Sequence, residues 1–118
     1  MKTIIIDGLE WQADDNGIQR TWDEAVEYAN GLGNGWRLPT IKELISLIDF
    51  TICNPACKIK TCLSSTYWSS SSVADNSIDA WCVYFYYGAA HYYRKSNNYH
   101  VRCVRNAQEE QNENNSRE

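Results

Sequence analysis

The sequence of 118 residues contains no long apolar run. Only four residues lie between Lys2 and Asp7, too few for the apolar region of a secretory signal, and no later run approaches the length that spans a membrane. We therefore expect a soluble chain without an export signal or membrane span. It would be cytoplasmic, or would be displayed on a virion or cell surface by another route.

Basic residues are also fewer than acidic ones. Eleven Lys and Arg stand against 15 Asp and Glu, which gives a formal net charge of -4. Such a chain has no long-range attraction for phosphate, so we predict that nucleic acid is not its partner. The length suits one domain with one core, and we predict one site on one scaffold.

The chain has five cysteines, an odd number that cannot all pair internally. Cys53, Cys57 and Cys62 follow a C-x3-C-x4-C spacing, which lacks the two C-x2-C pairs typical of zinc sites. Zinc binding with a fourth ligand, a local disulfide and free thiols all remain open for this segment. Cys82 and Cys103 are either buried thiols or a bridge, if their Cα atoms lie within about 7 Å.

The first half of the chain predicts a hairpin and a helix. Thr3–Ile6 and Leu9–Gln12 flank Asp7-Gly8, a dipeptide typical of two-residue hairpin turns. In TWDEAVEYANGLG, Thr21 and Glu24 have capping-box spacing. The inward stripe of this first helix consists of Trp22, Ala25, Val26, Ala29 and Leu32.

A second helix is predicted in RLPTIKELISLIDF, where Thr40 and Glu43 repeat the capping-box spacing. Its buried face consists of Ile41, Leu44, Ile45 and Ile48. The following segment, TICNPACKIKTCLSS, is predicted to be irregular because a proline and clustered cysteines argue against a long regular element.

The carboxyl half alternates like an antiparallel meander. A short strand in TYWSSSS precedes DAWCVYFYYG, AAHYYRK returns beside it, SNN turns, and YHVRCVR forms a final strand. In the central strand the predicted core face has Trp81, Val83 and Phe85, and the opposite face has Cys82, Tyr84 and Tyr86. Residues 1–105 form the predicted domain. Residues 106–118 form a polar, frayed tail with too little apolar surface to offset its ordering entropy.

Three motifs occur in a fixed order: GWRLPTIKELISLID at the second helix, YWSSS before the meander and VRCVR at the close. This arrangement resembles the DUF1566 family, also called the Lcl C-terminal domain, from about Leu9 to Arg105. The resemblance implies an α+β, C-type-lectin-like fold. In that fold the first and last strands lie together, two helices flank a twisted antiparallel sheet, and a loop-rich region presents ligand-contacting side chains. Family members often pair the cysteine of VRCVR with one on the first helix, where this chain has EYAN, so Cys103 lacks that partner.

The family and its relatives include variable proteins of diversity-generating retroelements, in which mutagenesis at template adenines rewrites codons near the carboxyl end. Changes at the adenines of AAC or AAT yield Asn, Asp, Ser, Tyr, His, Ala, Gly and Arg, but never Trp, Lys, Glu, Gln or Met. Trp81 and Lys95 would then be fixed positions. The candidate ligand-binding residues, all of reachable types, are Tyr84, Tyr86, Tyr87, Ala89, Ala90, His91, Tyr93, Ser96, Asn97, Asn98 and His100.

This window has the composition of a binding surface. Tyr supplies a large amphipathic contact area at low entropy cost, while Ser and Asn supply adaptable hydrogen bonds. We predict a protein or cell-surface ligand and no cofactor. The alternative explanation is that the tyrosines pack the sheet, because strands favour Tyr for packing alone.

Calcium-dependent sugar binding is not predicted. Lectins of that kind are similar to one another in carrying Glu-Pro-Asn or Gln-Pro-Asp and Trp-Asn-Asp, whereas this strand has Trp81-Cys82-Val83 and neither proline stands in such a triplet. Asp75, Asn76 and Asp79 fit a solvated turn better than a set of oxygen ligands.

The alternative function is a cysteine-dependent oxidase or a metal-binding protein. Formylglycine-generating enzymes share this broad fold and use a carboxyl-terminal cysteine pair, for which Cys82 and Cys103 are the candidates. His91 and His100 have no accompanying acid and are interpreted as surface residues. Because no nucleophile, base and oxyanion donor occur together, we predict that the chain is not an enzyme.

Five large side chains are predicted to be structural: Trp36, Arg37, Trp68, Arg102 and Arg105. The indole of Trp36 is expected under the second helix. The arginines are expected to pair with carbonyls or acids of neighbouring turns, as buried guanidinium groups require.

Overall fold

The computed structural model describes residues 1–107, whose strands form two three-stranded antiparallel sheets. The elements in chain order are β1 (Thr3–Ile6), β2 (Leu9–Gln12), α1 (Trp22–Leu32), α2 (Ile41–Ile45), β3 (Thr66–Val73), β4 (Asn76–Tyr84), β5 (Ala89–Arg94) and β6 (Val104–Asn106). One sheet has the order β1-β2-β6 and the other β3-β4-β5. The α+β prediction is confirmed, with two sheets in place of one. None of the helices in residues 1–107 has the length and apolar character needed to cross a membrane.

The opening hairpin forms as the Asp7-Gly8 dipeptide predicts. Asp7 and Gly8 have φ of 52° and 82°, the left-handed values that a type I′ turn needs at both central positions. The last strand, β6, pairs with β2 through Trp11 and Val104. It is therefore the second strand of the hairpin, and not the first, that lies beside the end of the domain.

The predicted final strand YHVRCVR is wrong in extent. Only its end belongs to β6, while Tyr99 and His100 form single bridges to Arg20 and Tyr67. The segment does not extend the meander beside β5; His100 instead pairs with the outer edge of β3, on the far side of the meander sheet (β3-β4-β5). The predicted tail begins at Asn106, which is the last residue of β6, and its residues 108–118 lie outside the described residues.

Helix α1 confirms the first helix prediction. The Thr21 hydroxyl accepts from the Glu24 amide and the Glu24 carboxylate accepts from the Thr21 amide, which completes a capping box. Ala25 and Ala29 are fully buried, so α1 packs closely on the sheet below it.

Helix α2 is shorter than predicted and ends at Ile45. Its capping box at Thr40 is present, but the amides of Leu47 and Ile48 bond to carbonyls three residues back, which tightens the chain into a turn. This turn points Leu47 into the core and leaves Ile45 38% exposed. The prediction that Ile45 belongs to the buried face is therefore wrong.

The two faces of β4 also differ from the prediction. Val83 and Phe85 are buried as expected, but Cys82 on the opposite face is equally buried, and Trp81 is only half-buried. The reason is that α1 and its neighbours form a second core over the opposite face. That second core holds Ala25, Ala29, Trp36, Leu38, Trp68, Ala80, Cys82, Val101 and Cys103. Trp36 thus packs beneath α1 and not beneath α2.

The three predicted structural arginines all have acidic partners. Arg37 bonds Glu43 at 2.7 Å and Arg105 bonds Glu10 at 2.9 Å. Arg102, which is 1% exposed, bonds Asp15 at 3.0 Å.

The Arg102 ion pair is part of a buried network. The guanidinium also donates to the Gln12 carbonyl at 2.6 Å, and Tyr67 donates to Asp15 at 2.6 Å. Burial and the neighbouring acidic groups raise the pKa of Tyr67, so its hydroxyl remains a donor. The network connects β2 to the segment that precedes β6.

Candidate ligand-binding surface

The β4–β5 hairpin determines which side chains of the window share a face. Cross-strand partners lie on the same face of a sheet, and Tyr84 pairs with Ala89, Cys82 with His91, and Ala80 with Tyr93. Tyr84, His91 and Tyr93 therefore project together from one face of the hairpin.

Aromatic contacts extend this set at both ends. At the turn, the ring of Tyr84 lies 6.1 Å from Tyr86 and 5.1 Å from Tyr87. Along β5, the rings of His91 and Tyr93 are 6.1 Å apart, and Tyr93 lies 5.2 Å from Tyr99. We call this surface the tyrosine face; it consists of Tyr84, Tyr86, Tyr87, Ala89, His91, Tyr93, Asn97 and Tyr99.

The tyrosine face is accessible, although unequally. Tyr86 and Tyr87 are 44% and 53% exposed, while Tyr84, His91 and Tyr93 are half-buried. Of these half-buried rings, Tyr93 packs against the second core. Such side chains are already ordered, so contacts with a ligand cost them little further entropy.

The remaining predicted residues lie elsewhere. Ala90 is exposed on the opposite face of β5, and Ser96, Asn97 and Asn98 are exposed in the turn that follows. Asn97 joins the tyrosine face because its side-chain amide donates to the Tyr99 hydroxyl at 3.2 Å. Burial raises the pKa of Tyr99, which keeps this hydroxyl protonated as a donor for a ligand.

His100 is placed inside the protein and not on the surface predicted for it. Its backbone bonds to Thr66 and Trp68 of β3, and this pairing turns the ring toward Tyr67, 5.4 Å away. The side chain is 6% exposed, and burial lowers its pKa, so the imidazole is neutral at pH 7. A direct contact with a surface ligand is not open to His100.

Several exposed residues near the face were not predicted as site residues. Tyr99 was assigned to a strand, and Tyr92, 53% exposed, projects from the opposite face beside Trp81. Phe50 is 75% exposed and lies against the Gly88 turn, next to Tyr87. The sequence signal that could have identified Phe50 is its position: an aromatic residue where the second helix gives way to the irregular segment.

The cysteines do not form a reactive site. Cys82 and Cys103 are fully buried, and burial raises the pKa of each thiol to about 12. The Cys57 and Cys62 thiols are neighbours in the first core, the cluster that also holds Trp11, Leu44, Leu47, Tyr67, Val83 and Phe85. Their mutual interaction lowers the pKa of Cys57 and raises that of Cys62. Cys53 is exposed, and all five are free thiols. Within residues 1–107 no group of three or more metal-ligating side chains is gathered.

The turn around Asp75 has its own internal bonds. Asn76 donates to the Asp79 carboxylate at 2.8 Å and accepts from the Ile78 amide. A pocket of about 350 Å³ lies between α1 and α2, and its charged groups, Arg37 and Glu43, satisfy each other. The pocket between the helices therefore offers no free charge to a ligand.

Comparisons with known proteins agree on the fold. A model of the Lcl C-terminal domain family matches residues 5–105. Among solved structures, the chain is similar to EMS16, an antagonist of the collagen receptor integrin alpha2beta1 (GPIa/IIa). The TM-score is 0.62 at 12% identity, covering 89% of this chain and 97% of EMS16, so the fold is C-type-lectin-like. No curated protein sequence matches the chain.

Proposed function

Because the chain belongs to the Lcl C-terminal domain family, we propose that it is a binding module whose tyrosine face contacts a protein ligand. The observation that carries the proposal is the set of accessible aromatic side chains on this face, grouped at the turn around Tyr84 and along β5 from His91 to Tyr99. Contiguous exposed aromatics on a small domain mark interaction sites. EMS16 acts on a protein receptor through a similar fold, which supports a protein as the ligand class.

We also propose that the face is diversified by a retroelement. In support, all of the predicted variable positions except His100 are exposed or half-buried, so their side chains can change without rebuilding the core. The coding DNA tests this: a reverse transcriptase gene beside a near-copy of the window, differing at adenines of these codons, is expected. The buried His100 codon is expected to differ least. Differences spread evenly over core and surface codons would contradict the proposal.

Photo-crosslinking tests the binding function. A benzophenone side chain placed at Tyr87 should crosslink a protein on the cells or particles that the module recognises. The same group placed at Ile18, which is 51% exposed and lies outside the face, should not. Equal crosslinking from both positions would indicate non-specific adhesion and would contradict the proposal.

Substitution then measures the contribution of the rings to binding of the captured protein. Tyr87→Ala is expected to weaken binding by about thirtyfold, because a central aromatic anchor contributes about 2 kcal/mol. Ile18→Ala is the matched control and should leave binding unchanged. Unchanged binding in Tyr86→Ala, Tyr87→Ala and Tyr93→Ala would contradict the assignment of the face.

The alternative, a cysteine-dependent oxidase, receives no support from the site. Cys82 and Cys103 lie within the second core, and their raised pKa values keep the thiols protonated near neutral pH. Replacing both by Ser separates the two functions: a folded binding module keeps its ligand, whereas an oxidase would lose turnover.

A further inference from the structure

The outer edge of β5 presents unpaired backbone groups. The Lys95 amide donates to the Ile78 carbonyl, and the Phe85 amide donates to Ser65. Even-numbered residues of β4 therefore bond toward β5, and odd-numbered ones toward β3. The register of the hairpin then fixes where the backbone groups of β5 point. The amides and carbonyls of Ala89, His91 and Tyr93 point toward β4, and those of Ala90, Tyr92 and Arg94 point away from the sheet.

The opposite edge of the same sheet is treated differently. On β3, the outward amide of Trp68 donates to His100, the Thr66 carbonyl accepts from His100, and the Ser70 amide donates to Pro39. The chain thus covers its own edge there. Within residues 1–107, by contrast, no backbone group bonds to the amides of Ala90, Tyr92 and Arg94 or to the carbonyls of Ala90 and Tyr92.

Apart from the charged side chain of Arg94, β5 has no feature that protects its edge. The register with β4 runs from Asp79 to Tyr84 without a bulge, and β5 contains no proline. Native sheets normally protect such an edge with a bulge, proline or covering segment, so an open, regular edge is a place where another strand can add.

The charge beside the β5 edge indicates which kind of partner segment could add to it. No Asp or Glu occurs between Asp79 and Glu109, although the whole chain has net charge -4. Arg102 and Arg105 already form ion pairs within the domain. Arg94 is exposed and forms no ion pair within the described residues; the carboxylate of its cross-strand neighbour Asp79 accepts from the neutral Asn76 amide.

A concave site of about 330 Å³ lies at the Arg94 end of the edge. Its lining is Ser77, Ile78, Arg94, Lys95 and Ser96, two hydroxyls and two cations around one apolar side chain. The Lys95 ammonium already donates to Ser72 at 2.9 Å and lies over the Trp22 ring, so Arg94 is the cation open to a partner. A carboxylate fits this site by charge.

We propose that β5 binds an extended segment of a partner protein as an added strand, with acidic side chains of that segment at Arg94. The backbone of the segment bonds to Ala90, Tyr92 and Arg94. Alternate side chains of β5 flank the added segment. Those of the tyrosine face lie on one face of the sheet, and Tyr92 lies on the other. This inference rests on the proposed binding function and specifies the chemistry of the ligand.

A designed peptide provides the probe: acetyl-TVTVTEE-amide, with acetyl-TVTVTKK-amide as its matched control. Titration of the full chain, followed by amide resonances and hydrogen exchange, should show changes and slowed exchange at the amides of Ala90, Tyr92 and Arg94. The inward amides of His91 and Tyr93 should change little. The lysine peptide should bind at least fivefold more weakly, and added salt should reduce the difference.

Backbone and charge variants separate the two parts of the proposal. Ala90→Pro removes one outward amide and no β4–β5 bond, and is expected to weaken binding about three- to tenfold. Ala90→Thr keeps the amide and should bind like the parent. Arg94→Glu is independent of any distortion by proline, and should reverse the preference so that the lysine peptide binds better.

Each contrary outcome has a distinct meaning. Peptide binding that shifts Tyr86 and Tyr87 but leaves the three outward amides unprotected would overturn strand addition and leave the proposed function standing. Absence of peptide binding up to millimolar concentration would overturn the proposal. A dimer that Ala90→Pro dissociates would show that a second copy occupies the edge, which also overturns it. Crosslinking at Tyr87 reports on the binding function separately.

Discussion

Adding a single methyl group at Gly88, in the β4–β5 turn, is predicted to lower the free energy of unfolding strongly. Its φ is +84°, and a Cβ added there would lie 2.6 Å from Cγ2 of Ile48, far inside ordinary van der Waals contact. Ile48 is buried and β-branched, so it has little freedom to move away. Gly88→Ala should therefore be costly.

The expected cost has two parts. The left-handed backbone costs about 1–2 kcal/mol for a residue with a Cβ, and overpacking against Ile48 costs about 1–3 kcal/mol more. Gly8→Ala is the matched control, because Gly8 has φ +82° and no atom within 4 Å of an added Cβ. It should lose only the backbone part.

Urea unfolding of the parent and both variants measures these free energies. In an Ile48→Leu background, which removes the Cγ2 methyl, Gly88→Ala should cost about as little as Gly8→Ala. Equal losses for Gly88→Ala and Gly8→Ala in the parent background would refute the reasoning, since the clash would then contribute nothing. Because Gly88 adjoins Tyr87, the overpacked variant should also weaken ligand binding.

Three further predictions concern the core, the interior histidine and the thiols. Leu44→Ala should cost about 2–5 kcal/mol of unfolding free energy, whereas exposed Tyr87→Ala should stay within about 0.5 kcal/mol; equal losses in urea unfolding would mean that the tyrosines are core. Because the pKa of His100 is lowered from 6.5 in the folded state, the unfolded chain binds more protons, so stability should fall as the pH drops from 6.5 toward 5. His100→Gln should flatten that slope in thermal unfolding at several pH values, and an unchanged slope would contradict it. Iodoacetamide should label Cys53 alone in the folded chain, as mass spectrometry would show, and a second fast-reacting thiol would contradict the burial of the other four.

Local chemistry was sufficient to predict most individual elements. The Asp7-Gly8 turn and the capping boxes at Thr21 and Thr40 form as expected because each depends on residues within a few positions. These signals fix backbone dihedrals and terminal hydrogen bonds with no reference to the rest of the chain. The length of α2 was harder to predict, since its end depends on how Leu47 reaches the core.

The long-range pairings could not be predicted from alternation. His100 was expected outside because it is one of the reachable residue types in the Tyr- and Asn-rich window, yet its backbone bonds to β3, more than thirty positions earlier, and its ring follows. Cys82 was expected opposite the core because a single-sided sheet was assumed. The first core buries Val83 on one face of β4, and the second core under α1 buries Cys82 on the other. A strand pattern carries no information about a helix much earlier in the chain.

The structure explains how a surface can vary on this scaffold without loss of the fold. Trp68 donates to the Arg20 carbonyl at 2.8 Å, Trp22 to Ser69 at 2.9 Å, and the Ser69 hydroxyl to Trp81 at 2.7 Å. The two tryptophan bonds hold the meander sheet to the first half of the chain, and the Ser69 bond joins β3 to β4; all three use side chains that lie outside the tyrosine face. The backbone of the face is therefore held by residues outside it, and exposed rings such as Tyr86 and Tyr87 are open to the protein ligand proposed above. The half-buried Tyr93 and Tyr99, which also contact the second core, should tolerate fewer replacements than the exposed pair.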